Sequence, residues 1–372
     1  MEIKHNFVQL AEVQREQGTL YCGGLDPHTF GPAENERVYR RSAGDSEMFG
    51  FYMALAMMSG LKGENAVKYA TVLTGVETYI RRVIMILVEL CNIRVFKPQA
   101  AFYEQFGPAG NFILMRIRDF IKELGAKKGI RLFCLLDCKR GDIATTQSCY
   151  FLALMGNLLG DWGVDFAPFD FQAINVTPWM GSNVMVLTND RGEPDRGLIM
   201  MRAGKAIIGV SKSSNPSSPE YQELHVPARG TTVQMAHVQD SAEWSREYDL
   251  EYDGLSTIGL VVGSTHKCDG SIRKAFPCGT WLVPGFGAQG GDFPLIMLEL
   301  IRGDRWNGQG AIFSSSRGTM YAHLEKYGGS GKVANLEHDL VAAVGRFREN
   351  EYAAYQAEDV RGAGIKYPFG TN

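Results

Sequence analysis

The chain is poor in the features that would assign it to the simplest functional classes. No apolar run reaches the roughly 18 residues of a membrane-spanning helix; the best, at 83–90, would fill one short helix. Charge of one sign is not in excess: 38 Lys and Arg face 41 Asp and Glu, for a net charge of −3. That gives no basic stripe for nucleic acid, although a few local cations suffice for one phosphate. The seven cysteines (Cys22, Cys91, Cys134, Cys138, Cys149, Cys268, Cys278) are an odd set without paired metal spacing, and read as reduced thiols of a cytosolic protein. The histidines show no HxH or HExxH spacing. His28 and His266 follow strand ends and read as loop hydrogen-bonders rather than metal ligands. There is no G-x-S-x-G elbow and no plausible nucleophilic Ser or Cys, no internal repeat and no low-complexity tract. The N-terminus, MEIKHNFVQLAEVQREQG, is charged and helical in pattern, without the apolar core of a signal peptide.

What is present is a core and a rhythm. Hydrophobic residues make up 45% of the 372 positions. Eight short β-rich runs, at 19–24, 93–97, 131–137, 173–177, 205–211, 257–263, 280–284 and 310–314, alternate with helical patterns. Most are continuously apolar, as strands buried on both faces of a parallel sheet must be. Helical spacing appears at 111–124, 145–160, 293–302 and 337–355. Eight such alternations predict a closed (β/α)₈ barrel rather than an open sheet. Two connections exceed what a minimal barrel needs, at about 27–92 and 215–255. The reading is therefore a single α/β domain, a TIM barrel with elaborated loops, spanning 1–372.

Polar chemistry collects where these runs end, the mouth at which barrel active sites are built. Asp26 follows the first run and Lys97 ends the second; Asp137, Lys139 and Asp142 follow the third; Ser213 and Ser214 follow the fifth, Gln289 the seventh and Arg317 the eighth. In an extended stretch Asp137 and Lys139 point to the same side, and Lys97 on the neighbouring strand falls near Asp137, giving an alternating carboxylate–ammonium row. The plain alternative is a buried salt-bridge network that only orients the mouth. Four charged groups on adjacent strand ends weigh against it, because dry ion pairs are costly structural elements. The run 285–290 matches G-x-G-x-x-G, but so late in the chain it reads as a phosphate loop, glycine amides assisted by Arg317, rather than a dinucleotide fingerprint. The Gly328–Lys332 run is not a Walker A loop, since Lys326 occupies the place of the first glycine.

The segments GGLDPH, VFKPQAAFYEQFG, LLDCKRGDIATT, VTPWMGSN, SKSSNP, GLVVGST, VPGFGAQGGD and SSSRGTMYA occur in one order over about 19–325. They closely resemble the orotidine 5'-monophosphate decarboxylase family, particularly its longer bacterial-type branch. D-x-K-x-x-D is shared with relatives acting on sugar phosphates; S-N-P, G-x-G-A-Q-G-G-D and the late S-R narrow the resemblance to the nucleotide enzyme. It implies decarboxylation of orotidine 5'-monophosphate to UMP in pyrimidine nucleotide biosynthesis, with no metal and no cofactor, by a cytoplasmic homodimer that binds neither nucleic acid nor membrane. Lys139 would protonate C6, Asp137 would lie beside the substrate carboxylate, and Lys97 and Asp26 would hold the ribose and the charge network. Asp142 and Thr146 would reach a second subunit's site. Ser214 would read the pyrimidine edge, Gln289 would bridge base and phosphate, and Arg317 would grip the phosphate. The departures are the Asp26–Lys97 separation of 71 residues, long for the family, and HKCD after the sixth run in place of an aromatic–proline turn. Two competing readings are a sugar-phosphate decarboxylase or aldolase on the same barrel, and a catalytically silent nucleotide-binding protein.

Overall fold

The structure, a computed structural model, describes residues 5–29, 39, 42, 48–156, 166–264, 269–285, 293–303 and 305–370. Its centre is a closed barrel of eight parallel strands: β1 (Tyr21–Gly24), β2 (Val95–Lys97), β3 (Phe133–Arg140), β4 (Ala173–Val176), β5 (Ala206–Lys212), β6 (Ile258–Val262), β7 (Thr280–Pro284) and β8 (Ala311–Ser315). Each strand neighbours the next in sequence and β8 returns to β1. The expected eight-stranded barrel is borne out, and every strand falls on the run that predicted it. The reason is visible in the burial: β5 and β6 are covered along their whole length, so apolar residues cannot alternate with polar ones.

The helices include α1 (Asn6–Gln17), α2 (Met48–Met58), α3 (Gly63–Glu89), α4 (Pro108–Lys128), α5 (Ala144–Met155), α6 (Arg196–Arg202), α7 (Val233–Glu247), α8 (Ser271–Ala275), α9 (Phe293–Met297), α10 (Arg317–Met320) and α11 (Leu336–Gln356). By internal contacts the chain divides into two compact units, Met1–Cys22 with Phe133–Ser315 and Gly345–Asn372, and Gly23–Leu132 with Ser316–Val344.

In the first unit the strands run in register, Ile174 beside Ile207 and Leu260 beside Trp281. α1 stops at Gly18, whose φ of 76° is the left-handed conformation glycine accepts without strain. Its Phe7 packs where Gly259 leaves room: a Cβ there would lie 3.0 Å from the Phe7 ring and 2.7 Å from the Thr280 carbonyl. The elaboration between β5 and β6 holds α7 between two short antiparallel hairpins, His225–Val226 with Thr231–Thr232 and Glu251–Tyr252 with Leu255–Ser256. Helical spacing at 293–302 is realised only over Phe293–Met297. The chain turns away because Glu299 is committed elsewhere, its carboxylate accepting from the Gly270 N–H and its carbonyl from Arg273 Nε at 2.6 Å.

α11 carries a buried carboxyl. Glu351 accepts from Thr19 Oγ1 at 2.5 Å and from the Leu20 N–H at 2.8 Å. Burial raises its pKa to about 7 against those two hydrogen bonds. Folding therefore binds a proton between the ordinary carboxylate value and about 7. The contribution is complete below the unfolded pKa and is lost as pH rises through the folded one. Glu351→Gln should abolish a loss of stability on the order of 2–3 kcal/mol between pH 4.5 and 7.5, read as the difference between the two proteins' denaturation midpoints across that range. Parallel pH profiles would exclude Glu351 as the source.

In the second unit α3 buries Ala66, Ala70, Leu73, Val76, Ile80, Val83, Ile84 and Leu87 at helical spacing. Glu77, buried among apolar neighbours, ties three helices: it accepts from Tyr52 on α2 and from Arg116 Nε on α4 at 2.9 Å, and pairs with Arg81 on α3 at 2.6 Å. α4 opens on Pro108 and ends at Gly129, φ 64°, the expected asymmetry of a helix's start and stop.

Candidate active site

The densest chemistry lies at the end of β3. Asp137, 7% exposed, forms an ion pair with Lys139 and accepts from Asn175 Nδ2 at 2.6 Å. Asn175 comes from β4, where its side-chain oxygen also accepts the backbone N–H groups of Cys138 and Lys139, both at 2.7 Å. One amide thus fixes the carboxylate and the backbone of the lysine that pairs with it. The stretch is not extended as the two-residue alternation assumed. The β3–β4 register shifts between Leu136 and Arg140, and Lys139 sits at φ 47°. A lysine in the left-handed region is strained by about 1–3 kcal/mol and persists where its surroundings impose it. Asn175 and the return of β3 to the ladder at Arg140, where Thr177 N–H donates at 2.7 Å, are those surroundings. Gly141 follows because a Cβ there would lie 2.6 Å from the Thr177 carbonyl. Asp142 is half-buried and accepts from the Ile143 N–H at 2.7 Å, and Thr146 is exposed on the first turn of α5. Burial lifts the Cys138 thiol to about 11, so it stays protonated.

After β5 the chain is pinned on two sides. Lys212, buried, pairs with Glu223 at 2.9 Å, and the Ser213 N–H donates to Gln222 Oε1 at 2.9 Å. From β6 the Gly263 N–H donates to the Lys212 carbonyl at 2.8 Å, and a Cβ on Gly263 would stand 2.5 Å from the Ser214 nitrogen. The Ser213–Ser214 peptide is therefore held between a glycine and a returning loop, with Ser214 half-exposed.

The second unit carries Asp26, Lys97 and Arg317. Lys97 is 4% exposed at the end of β2, and its carbonyl accepts from the Leu25 N–H at 3.1 Å. Asp26 Oδ1 accepts from the Gln99 N–H at 3.0 Å. The His28 N–H donates to the Tyr321 hydroxyl at 2.7 Å, and its ring lies 4.2 Å from Phe102. Burial lowers the His28 pKa, partly opposed by the charge of Asp26. Arg317 is half-buried as the first residue of α10. Gln289, His266 and Cys268 lie outside the described residues.

Three positioning groups went unremarked in the sequence: Asn175, Gln222 and Tyr321. Asn175 had a signal, a polar side chain inside the otherwise apolar run AINV; the other two had none, since their partners are set by loop geometry. A cavity of about 1090 Å³ in the first unit, lined by Arg273, Cys278 and Glu299 among others, contains none of the predicted site residues among the described ones.

A closed parallel barrel whose strands end in paired charges and hydroxyls has the architecture of a (β/α)₈-barrel enzyme. More narrowly, the chain belongs to the orotidine 5'-phosphate decarboxylase / HUMPS family, whose sequence model matches residues 24–300. It is 33% identical over 255 residues to the orotidine 5'-phosphate decarboxylase of Rhodopirellula baltica, covering 68% of this chain and 76% of that protein. To that of Caldicellulosiruptor bescii it is 30% identical over 246 residues, 66% of this chain and 73% of the relative. Among solved structures, Plasmodium berghei orotidine 5'-monophosphate decarboxylase superposes with a TM-score of 0.63 at 14% identity, covering 96% of this chain and all of that one. Leishmania donovani OMP decarboxylase gives 0.54 at 22%, covering 94% and 99%. At those identities the structures speak to the fold.

Proposed function

We propose that the protein decarboxylates orotidine 5'-monophosphate to UMP as a cytoplasmic homodimer, without metal or cofactor, using Lys139 as proton donor. The observation that carries this reading is the Asp137–Lys139 pair held by Asn175 at the end of β3. By the resemblance, Asp137 would lie beside the substrate carboxylate, and Lys97 and Asp26 would hold the ribose and the charge network. When the C6–carboxylate bond breaks, CO₂ leaves neutral and the electron pair stays on C6. A fixed ammonium beside C6 stabilises that charge as it develops and then supplies the proton. Asp137 disfavours a second carboxylate next to it, by roughly 4 kcal/mol at about 4 Å and an effective dielectric near 20; this repulsion ends with departure of CO₂. Ser214 would read the pyrimidine edge, Gln289 would bridge base and phosphate, and Arg317 would grip the phosphate, whose binding energy helps organise the charged groups.

Release of UMP from orotidine 5'-monophosphate, measured with and without excess chelator, tests the reading. Turnover indifferent to chelator supports it, and no turnover with this substrate overturns it. Turnover that chelator abolishes, or activity on a sugar phosphate instead, would move the protein to the metal-using side of the family.

Asp142 and Thr146 are assigned to the site of the second subunit. In support, the loops after β3, β4 and β5 expose the large apolar side chains Ile143, Trp179 (68%), Met180, Tyr221 (63%) and Leu224, with the Trp179 and Tyr221 rings meeting edge-on, as an interface between subunits would use. Mixing inactive Lys139→Ala with inactive Asp142→Ala should restore about a quarter of wild-type activity, because half of randomly mixed dimers hold one intact site. Lack of rescue with proven subunit exchange would separate Asp142 from the shared site.

A further inference from the structure

The connection from β1 to β2 holds, beyond Asp26, the helices α2 and α3, which carry none of the proposed site residues. We propose that it positions the phosphate end of the site, through a buried trio of tyrosines, Tyr39, Tyr79 and Tyr321. The inference rests on the roles assigned to Arg317 and Asp26.

α10, which begins with Arg317, is one turn long and too short to hold its own shape. What fixes it comes from the β1–β2 connection. Its last carbonyl, Met320, accepts the hydroxyl of Tyr79 on α3. The next residue, Tyr321, is buried; the His28 N–H donates to its hydroxyl at 2.7 Å, the Tyr39 hydroxyl lies 2.5 Å away, and the Asp26 and His28 carbonyls lie at 3.4 and 3.5 Å. A single oxygen therefore joins the turn bearing Arg317 to the Asp26-Pro27-His28 segment that leaves β1.

Tyr39 is itself held in place. Its backbone carbonyl lies 1.9 Å from where a Cβ on Gly75 would be, so α3 is bare at the one point where Tyr39 crosses it. Its ring meets that of Tyr79 edge-on, centroids 5.8 Å apart. All three tyrosines are at most 1% exposed, so water does not replace a lost partner. Removing the Tyr39 hydroxyl takes from Tyr321 its shortest hydrogen bond in a dry setting, and the turn that aims Arg317 loses one of its braces.

Core packing alone would also bury tyrosines, so the test needs a matched control. Tyr355 is buried to the same degree in the other unit, with its hydroxyl donating to the Gly308 carbonyl at 2.5 Å. In the full-length enzyme, Tyr39→Phe and Tyr321→Phe are expected to raise KM for orotidine 5'-monophosphate and the inhibition constant of UMP about 5- to 20-fold, the scale of one lost buried hydrogen bond. kcat should change less than about threefold. Tyr355→Phe should lower thermal stability comparably and leave KM unchanged. Unchanged KM in Tyr39→Phe, or an equal rise in Tyr355→Phe, overturns the proposal. If Tyr39→Phe does not fold, Tyr79→Phe, which frees the Met320 carbonyl, is read by the same criteria. Arg317→Ala measured alongside separates the two failures: a raised KM there with none in the tyrosine variants sinks only this inference, whereas unchanged KM in Arg317→Ala sinks the phosphate role on which it rests.

Discussion

Lys139→Ala is expected to lower kcat by about 10⁴-fold or more, with the fold retained. General acid catalysis by a positioned group contributes about 10²–10⁴, and removal of one preorganised charge or donor at the developing anion about 10²–10³. Lys139 is assigned both tasks, so the losses compound. The fold should survive because the side chain is 45% exposed and reaches out from β3 rather than into the core. Asp137 keeps the Asn175 amide at 2.6 Å when its cation is removed. Alanine at φ 47° carries the same kind of strain as lysine, so the backbone gains no reason to rearrange. The measurement is steady-state release of UMP, with circular dichroism and thermal denaturation of the same preparation. Turnover near the wild-type value would remove Lys139 from the chemical step. Lys139→Arg should also fail, since guanidinium keeps the charge but does not give up a proton near neutral pH.

The same stretch shows how far the sequence can be read. The eight strands were legible because each is buried on both faces and cannot hide its composition: β5 is AIIGVSK and β7 is TWLVP. The spacing of Asp137 and Lys139 was legible as well, but for a reason that does not operate. Strand alternation would bring them to one side; the structure brings them together across a bulge, with Lys139 in the left-handed region and Asn175 tying both backbone and carboxylate. That arrangement depends on the register of β4 against β3, a pairing between residues 36–38 positions apart that no local pattern encodes. Helix α9 stopped early for a similar reason, since Glu299 is claimed by residues of the preceding crossover. The tyrosine trio lies further still from local inference: Tyr39 and Tyr321 are 282 positions apart. Composition and period announce elements, while hydrogen-bonded joints between elements require the fold.

Arg317→Ala should produce the second large effect, and mainly on binding. A guanidinium that grips a phosphate makes paired charge-assisted hydrogen bonds. Truncating one partner of such a contact costs about 2–5 kcal/mol, which predicts a KM raised by about 10² or more and a comparable loss of affinity for UMP. kcat should fall less, because Lys139 and Asp137, the groups assigned to C6, stay in place. It should still fall somewhat, since part of the phosphate's binding energy is used to order the charged groups around the base. Arg317→Lys tells charge from geometry. If only the positive charge matters, lysine restores affinity; if the planar fork matters, KM stays about tenfold high. The second outcome is expected, because α10 is a single turn braced at Met320 and Tyr321, a mounting that fixes direction as well as position. An unchanged Michaelis constant in Arg317→Ala would contradict the phosphate role, and would do so independently of the outcome at Lys139.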